Sequence, residues 1–410
     1  MIIFISWKNV WRNKLRSSIV IMAIAIGLFG GIFTNAFFMG MTQQRVDSAI
    51  KNETANLQIH HPDFLVNETI DKGITHSDNL LSRIASLPQV KGVSSRLTET
   101  GMAATAENNA GVFINGINPD AEKQVTSIHE KIEEGKYPAA SDKIPILIGR
   151  KLAKKLNAKP GDKIVLSFAN SLGEVSYGAF KVIGIYNTQN DMFDGIQVFV
   201  LTTHLQPLLK TPDNYATEIA ISLKNNEETS KIKAELQRIF KEETTRKEIV
   251  VQDWKEIDPT LDLMIQSMDY FAWFFIAIIL IALAFGIVNT MIMVVMERVQ
   301  EIGMLMAIGM NKSRVFAMIL WETIFLSVTG AAIGIAASVI TLGYFQSEGL
   351  DLSLFSQGMN AYGLNSLIFP YTTIGFYLKV TLMVFVTAVA ASVFPARFAL
   401  KLQPAEAIRL

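Results

Sequence analysis

Met296-Glu297-Arg298-Val299-Gln300-Glu301-Ile302-Gly303-Met304-Leu305-Met306-Ala307-Ile308-Gly309-Met310-Asn311-Lys312-Ser313-Arg314 is a short polar link between two long hydrophobic runs. It carries the only charges in roughly fifty residues of otherwise apolar sequence. It is too long for a minimal turn and too short for a domain. Its apolar residues recur at helical spacing, which predicts a helix that docks on something at a membrane surface.

The runs on either side, 271–295 and 315–345, hold a single charge between them, Glu322. Two more such runs follow from the same reading, 17–41 and 374–394, the last with Lys379 near its outer end. At 1.5 Å per residue the first is roughly 37 Å long, enough to cross about 30 Å of hydrocarbon with some tilt. Only 18% of the chain is charged, against about 25% in soluble domains. The predicted class is therefore a membrane α-helical protein with four transmembrane helices. Short-loop charge orients it. Lys8, Arg12, Lys14 and Arg16 precede the first span, Arg298, Lys312 and Arg314 lie in the link, and Arg397, Lys401 and Arg409 follow the last span. The connection 346–373 has Glu348 and Asp351 but neither Lys nor Arg. Both termini and the link are expected in the cytoplasm, and 42–270 and 346–373 outside. The first span is read as a retained anchor, because its apolar core exceeds the 7–15 residues of a signal peptide and Gln43-Gln44-Arg45 follows it. The chain has no cysteine and a formal net charge of zero. No basic tract points to nucleic acid.

The predicted order is an amphipathic N-terminal helix over 1–16, spans at 17–41 and 271–295 flanking the large region 42–270, the cytoplasmic helix 296–314, spans at 315–345 and 374–394 joined by the short loop 346–373, and a tail over 395–410. Region 42–270 reads as α+β. Strands are expected at 55–60, 111–117 (with a turn at Asn115-Gly116), 145–148, 163–168, 180–186, 196–201 and 218–223. Helices are expected at 79–87, 150–156 and 227–242, and a turn at Pro160-Gly161-Asp162. Asp258-Pro259 fits an N-cap followed by proline, and Leu261, Met264, Ile265, Met268 and Ala272 form one stripe into the second span. Val46 and Ile50 continue the first. These ends read either as stalks carrying the outer domain or as interfacial turns.

Catalytic motifs are missing. None of His60, His61, His76, His129 and His204 has metal-ligand spacing. His60-His61 alternates across a strand and reads as a solvated pair. Neither a Gly-x-Ser-x-Gly elbow nor a Gly-x-x-x-x-Gly-Lys-Ser/Thr phosphate loop occurs. Asp191 and Asp194 fall in a Met-Phe-Asp-Gly turn and read as loop residues. Glu322 is the one acid well inside a span, where a mid-bilayer charge costs about 2.5–3.5 kcal/mol on insertion scales. It reads either as a coupling or subunit contact or as an acid snorkelling to the interface.

Three motifs stand in register with this topology: Trp7-Lys8-Asn9-Val10-Trp11-Arg12-Asn13-Lys14-Leu15-Arg16, Glu297-Arg298-x-x-Glu301-Ile302-Gly303-x-Leu305-x-Ala307-x-Gly309, and Phe394-Pro395-Ala396-x-x-Ala399-x-x-x-x-Pro404-x-x-Ala407-Ile408-Arg409. Together they resemble the FtsX/MacB-type ABC transporter permease superfamily, which includes the lipoprotein-releasing LolC/LolE permeases. Gly116-Ile117-Asn118-Pro119, Ile148-Gly149-Arg150-x-Leu152-Ala153 and Pro160-Gly161-Asp162-x-Ile164 resemble its MacB-like periplasmic core. Leu57-Gln58-Ile59-His60-x-Pro62 is similar to the LolE-like branch.

The resemblance implies a bacterial inner-membrane permease that is not itself an enzyme. The link would be its coupling helix in a groove of a cytoplasmic ABC ATPase dimer, with Glu297, Arg298, Glu301, Ile302, Gly303, Leu305 and Gly309 at the contact. Ile302, Leu305 and Met306 would form its apolar side, and Arg298 and Glu301 a pair at i, i+3. Trp7 and Trp11 would sit at the interface with the basic residues toward lipid head groups. This chain would hold no cofactor, since ATP and Mg bind the ATPase. Further implied partners are a second permease (homo- or heterodimer), membrane lipid, a lipoprotein and a periplasmic chaperone or adaptor. The implied mechanism is mechanotransmission toward lipoprotein release. MacB-like efflux of peptides or drugs, and FtsX-like regulation of a periplasmic cell-wall hydrolase, are the alternatives. An outer-domain receptor anchored by four spans leaves the link unexplained.

Overall fold

The computed structural model describes residues 2–12, 14–67 and 69–401. Asn13 of the first motif and Pro404, Ala407, Ile408 and Arg409 of the last lie outside the described residues. The chain forms two compact units. One comprises residues up to Thr42, Ile265–Asp351 and the chain from Leu367 onward; the other comprises Gln43–Met264 together with Leu352–Ser366.

The first unit is helical. Among the described residues, four helices are long and apolar enough to cross a membrane: Ser17–Thr54, Pro259–Glu297, Lys312–Glu348 and Ile374–Leu400. All exceed the apolar runs read from sequence. The second is 39 residues long, about 58 Å at 1.5 Å per residue. It begins as expected, with Asp258 Oδ1 accepting from the Leu261 N–H at 3.0 Å ahead of Pro259. The α-helix Lys14–Ala49 runs into a π-helical turn, Ile50–Thr54, and ends at Ala55 with φ 59°. The fourth helix corrects the expected tail at 395, for it continues through Pro395 to Lys401. A proline removes one N–H, and neighbouring helices in a bundle accommodate it.

Tight packing joins the first and third helices. A Cβ at Gly330 would lie 2.9 Å from the Ile21 carbonyl oxygen, and one at Gly334 2.8 Å from that of Ala25. Two glycines one helical turn apart bring the backbones together. Ile24, Leu28 and Ile32 are fully buried there.

The second unit is α/β. Its ten strands are β1 (Leu57–His60), β2 (Val90–Ala104), β3 (Asn109–Ile117), β4 (Ile132–Gly135), β5 (Pro145–Gly149), β6 (Lys163–Ala169), β7 (Val175–Tyr186), β8 (Gln197–Leu201), β9 (Glu218–Leu223) and β10 (Val250–Asp253). They form one sheet in the order β10-β1-β9-β2-β3-β8-β5-β7-β4, with β6 pairing both β2 and β7. The β3–β8 and β5–β7 pairs are parallel and the others antiparallel. One core gathers Ile114, Ile148, Leu166 and Phe180. Another gathers Leu57, Ile59, Ile84 and Leu236, under helices Ser77–Ala85 and Thr229–Ile239.

Several local expectations change. Asn115-Gly116 is no turn but lies inside β3, opposite Thr98 and Leu97 of β2. Gly116 is there because a Cβ would come within 2.9 Å of Leu205 Cδ2. His60 is not solvated: it is fully buried in β1 between β9 and β10. Burial pushes its pKa down to about 4. Asp191 and Asp194 open a helix, Asp191–Ile196, capped by Asn190, whose Oδ1 accepts from the Met192 and Phe193 N–H groups. Connection 346–373 is structured. Leu350–Asp351 pairs with Leu367–Ile368, and Leu352–Ser366, which carries helix Ser356–Ala361, belongs to the α/β unit.

Candidate functional site: the link helix and its ion network

The link is a nine-residue helix, Val299–Ala307. Glu297 ends the preceding helix, and Arg298 sits at the N-cap with φ −107° and ψ 16°, the corner between them. At its far end the Gly309 N–H reaches the Met306 carbonyl at 3.1 Å and the Met310 N–H the Leu305 carbonyl at 2.9 Å. Gly309 has φ +101°. This pair of bonds is a Schellman motif, which favours glycine at its left-handed position. Asn311 then caps the third span helix by accepting from the Ser313 N–H at 3.2 Å. The whole link is thus built from local stop and start signals.

An ion network holds the link helix to its neighbours. Arg298 Nη1 donates to both Glu322 oxygens at 3.1 and 3.2 Å, and its Nε donates to Glu301 at 3.2 Å. Asn9 Nδ2 donates to Glu322 at 2.7 Å. Arg12 Nη2 donates to both Glu301 oxygens at 2.6 and 2.7 Å. Hydrogen bonds from Arg12, then from Arg298, hold the Glu301 carboxyl below the usual range. The Glu322 side chain is 7% exposed and that of Arg298 15%, whereas Arg12 and Glu301 are about half exposed. The chain therefore runs from a solvated end to a buried one. Glu322 is neither snorkelling nor solitary: it is neutralised from within the chain by the link.

The N-terminal helix Ile2–Arg12 belongs to this assembly. Ser6 Oγ donates to the Met318 carbonyl at 3.0 Å. Trp7 meets Phe325 edge-on at 5.1 Å, with Trp11 5.8 Å beyond. Arg12 is thus turned to the link, where the sequence placed it among basic residues facing lipid.

The expected link residues divide into two sets. Arg298, Glu301 and Glu322 come together as one network. Ile302 and Gly303 are buried with Val299 against the chain's own helices, so Ile302 is no part of an outward face. Leu305 and Met306 are half buried. Met304 and Ile308, a pair at i, i+4, are the apolar side chains left outward, at 57% and 80% exposure. Sequence reasoning missed these two, together with Arg12 and Asn9. Their i, i+4 spacing is the signal that could have found them.

Two family models match the chain. Residues 17–239 match the family described as the MacB-like periplasmic core domain, and residues 273–404 the FtsX-like permease C-terminal family. LolE of Haemophilus influenzae, a lipoprotein-releasing system transmembrane protein, is 24% identical over 99% of this chain and 98% of its own length. The pyoverdine export ATP-binding/permease protein PvdT of Pseudomonas putida is also 24% identical, over 98% of this chain but 58% of its own length. Among solved structures, the periplasmic region of MacB from Actinobacillus actinomycetemcomitans aligns with 54% of this chain and 98% of its own at 12% identity and TM-score 0.38.

Proposed function

Since the chain belongs to the FtsX/MacB-type ABC transporter permease family, we propose that it passes force from a cytoplasmic ATPase to its own large domain, in the service of lipoprotein release from the inner membrane. The observation that carries the coupling role is the link helix, tied to the third span helix by Arg298–Glu322 while Gln300, Glu301, Met304 and Ile308 stay accessible. A push on that outward face reaches the third helix through a buried ion pair rather than through a flexible loop. On this reading the termini and link are cytoplasmic, the α/β unit is periplasmic, and the long helices on either side of it act as stalks. ATP and Mg belong to the ATPase, because this chain has no phosphate loop. A second permease completes the assembly, and a periplasmic chaperone or adaptor receives the product.

Lipoprotein release is favoured over efflux because LolE matches along nearly its whole length. Efflux stands second, on the equal identity to PvdT. Purification from the native membrane followed by mass spectrometry separates them. An ABC ATPase with a bound triacylated lipoprotein supports release, and a co-purified small exported compound supports efflux. Glu301→Lys is expected to lower ATPase association and turnover at least about tenfold, that is by about 1.4 kcal/mol or more. Arg12→Ala, which breaks only the internal pair, is the control. Equal loss in both variants, or none in Glu301→Lys, would remove Glu301 from the ATPase contact.

A further inference from the structure

A cavity of about 300 Å³ opens in the α/β unit between helices Arg150–Leu156 and Asp191–Ile196 and the short helix Ser356–Ala361. Small-ligand sites run from about 300 to 1,000 Å³, so this one has room for a compact polar head. One wall is basic, with Arg150, Lys151 and Lys154 on a single helix. Facing it are Ser356, Gln357 and Asn360, neutral hydrogen-bonding groups. Lys151 is matched by Asp191 at 2.8 Å. Arg150 gives one Nη to Glu133 at 3.1 Å, which leaves guanidinium donors over. Lys154 has no acidic partner among the described residues. Asp194 also lines the cavity, but both its oxygens accept from Thr188 and burial pushes its pKa up to about 7. The balance of charge offered to a ligand is therefore positive.

The wall of Ser356, Gln357 and Asn360 belongs to a segment with a second peculiarity. From 352 to 378 the sequence has no charged residue. Leu354 is 96% exposed, and Phe355 and Tyr362 are each 65% exposed. Three large apolar side chains thus stand in the open on the segment whose polar residues close the cavity. Leu354 lies two residues before Ser356 and six after Glu348, the last residue of the third span helix.

We propose that this cavity takes the phosphate head of an anionic amphiphile, and that Leu354, Phe355 and Tyr362 contact its acyl chains. Arg and Lys bind phosphate oxygens through charge-assisted hydrogen bonds. The amides of Gln357 and Asn360 and the Ser356 hydroxyl suit the ester and glycerol oxygens next to the phosphate. An inorganic anion gives no reason for the exposed apolar side chains, and an apolar ligand gives none for the unpaired Lys154. Binding of such a head group does not require ATP coupling and is independent of the proposed transport role.

The test uses the full chain in a neutral detergent, titrated calorimetrically with dioctanoyl phosphatidylglycerol, dioctanoyl phosphatidylcholine and inorganic phosphate. Saturable binding of phosphatidylglycerol is expected, with phosphatidylcholine and phosphate each at least about tenfold weaker. Lys154→Glu lowers phosphatidylglycerol affinity by a similar factor. Leu354→Ser combined with Phe355→Ser lowers it too, without changing phosphate binding. These side chains are exposed, and unchanged melting by circular dichroism verifies that the variants fold. Three results overturn the proposal. They are no saturable phosphatidylglycerol binding, phosphatidylcholine binding that matches it and ignores Lys154→Glu, or phosphate binding as tight as the lipid with the Leu354→Ser and Phe355→Ser variant silent.

Discussion

Arg298 shows what one residue does when it sits at a corner. It follows the end of one helix, stands at the N-cap position of the next and reaches a carboxylate on a third. Removing one partner of a buried pair leaves an uncompensated charge, whereas replacing both by apolar residues is often near neutral. Glu322→Ala is therefore expected to destabilise by about 3 kcal/mol, and the double replacement Arg298→Leu with Glu322→Leu by far less. Thermal unfolding in detergent reads the difference, and equal losses would show that the pair is not buried as a unit. Asp194 makes a second prediction. Its folded pKa, raised by burial to about 7, lies above its ordinary value near 4. The folded state keeps a proton the unfolded state has lost, so this contribution to stability declines as pH rises from about 4 to about 7. Glu99, raised by burial to about 7, acts the same way. His60 has the opposite sign: lowered from 6.5 to about 4, it contributes more as pH rises through that interval. Of these three groups, only the two carboxyls still contribute a slope between pH 6.5 and 7.5, so Asp194→Asn should reduce the fall of melting temperature with pH there, and Glu99 supplies the remainder.

Among the elements, legibility followed the locality of the signals. The link was readable because it is a polar interruption between two apolar runs and its own apolar residues recur at helical spacing. The beginning of the second span helix was readable from Asp258-Pro259 alone. By contrast β2, the longest strand, went unseen. It carries two buried charged residues: Arg96 is answered by Glu122 and Glu218 at 2.7 and 2.6 Å, and Glu99 by the Ile70 N–H at 3.0 Å. Partners that far along the chain leave no local pattern. β4 and β10, four residues each, are too short for alternation to register. The direction of the link helix was likewise hidden, since neither of its two apolar stripes is marked as the inner one. Glycine contact between the first and third helices gives a prediction at this scale. Gly330→Leu forces a side chain into the Ile21 backbone and Ile24. Such overpacking costs about 1–3 kcal/mol, read as an earlier detergent melting transition. Gly343→Leu, with nothing within 4 Å of its Cβ, should leave the transition unchanged.

At the level of the whole molecule, the order of spans and the mixed helix and strand content of 42–270 followed from hydropathy and turn chemistry. The division into units did not, because the α/β unit is discontinuous in sequence. Residues Leu352–Ser366 fold with Gln43–Met264. Inside that unit, Arg45 pairs with Glu53 at 2.9 Å and Asn190 donates to Glu53 at 3.0 Å. Gly363, at φ +66°, comes so near that a Cβ would lie 2.9 Å from Asn190 and 3.1 Å from Arg45. No alternation or cap announces such a contact between residues more than 170 positions apart. It bears on how this protein can be recombined. A chimaera that exchanges 43–264 alone between two relatives inherits a domain with part of its wall left behind in the recipient. A faithful transplant carries two inserts, the second only fifteen residues long, spliced between the third and fourth helices.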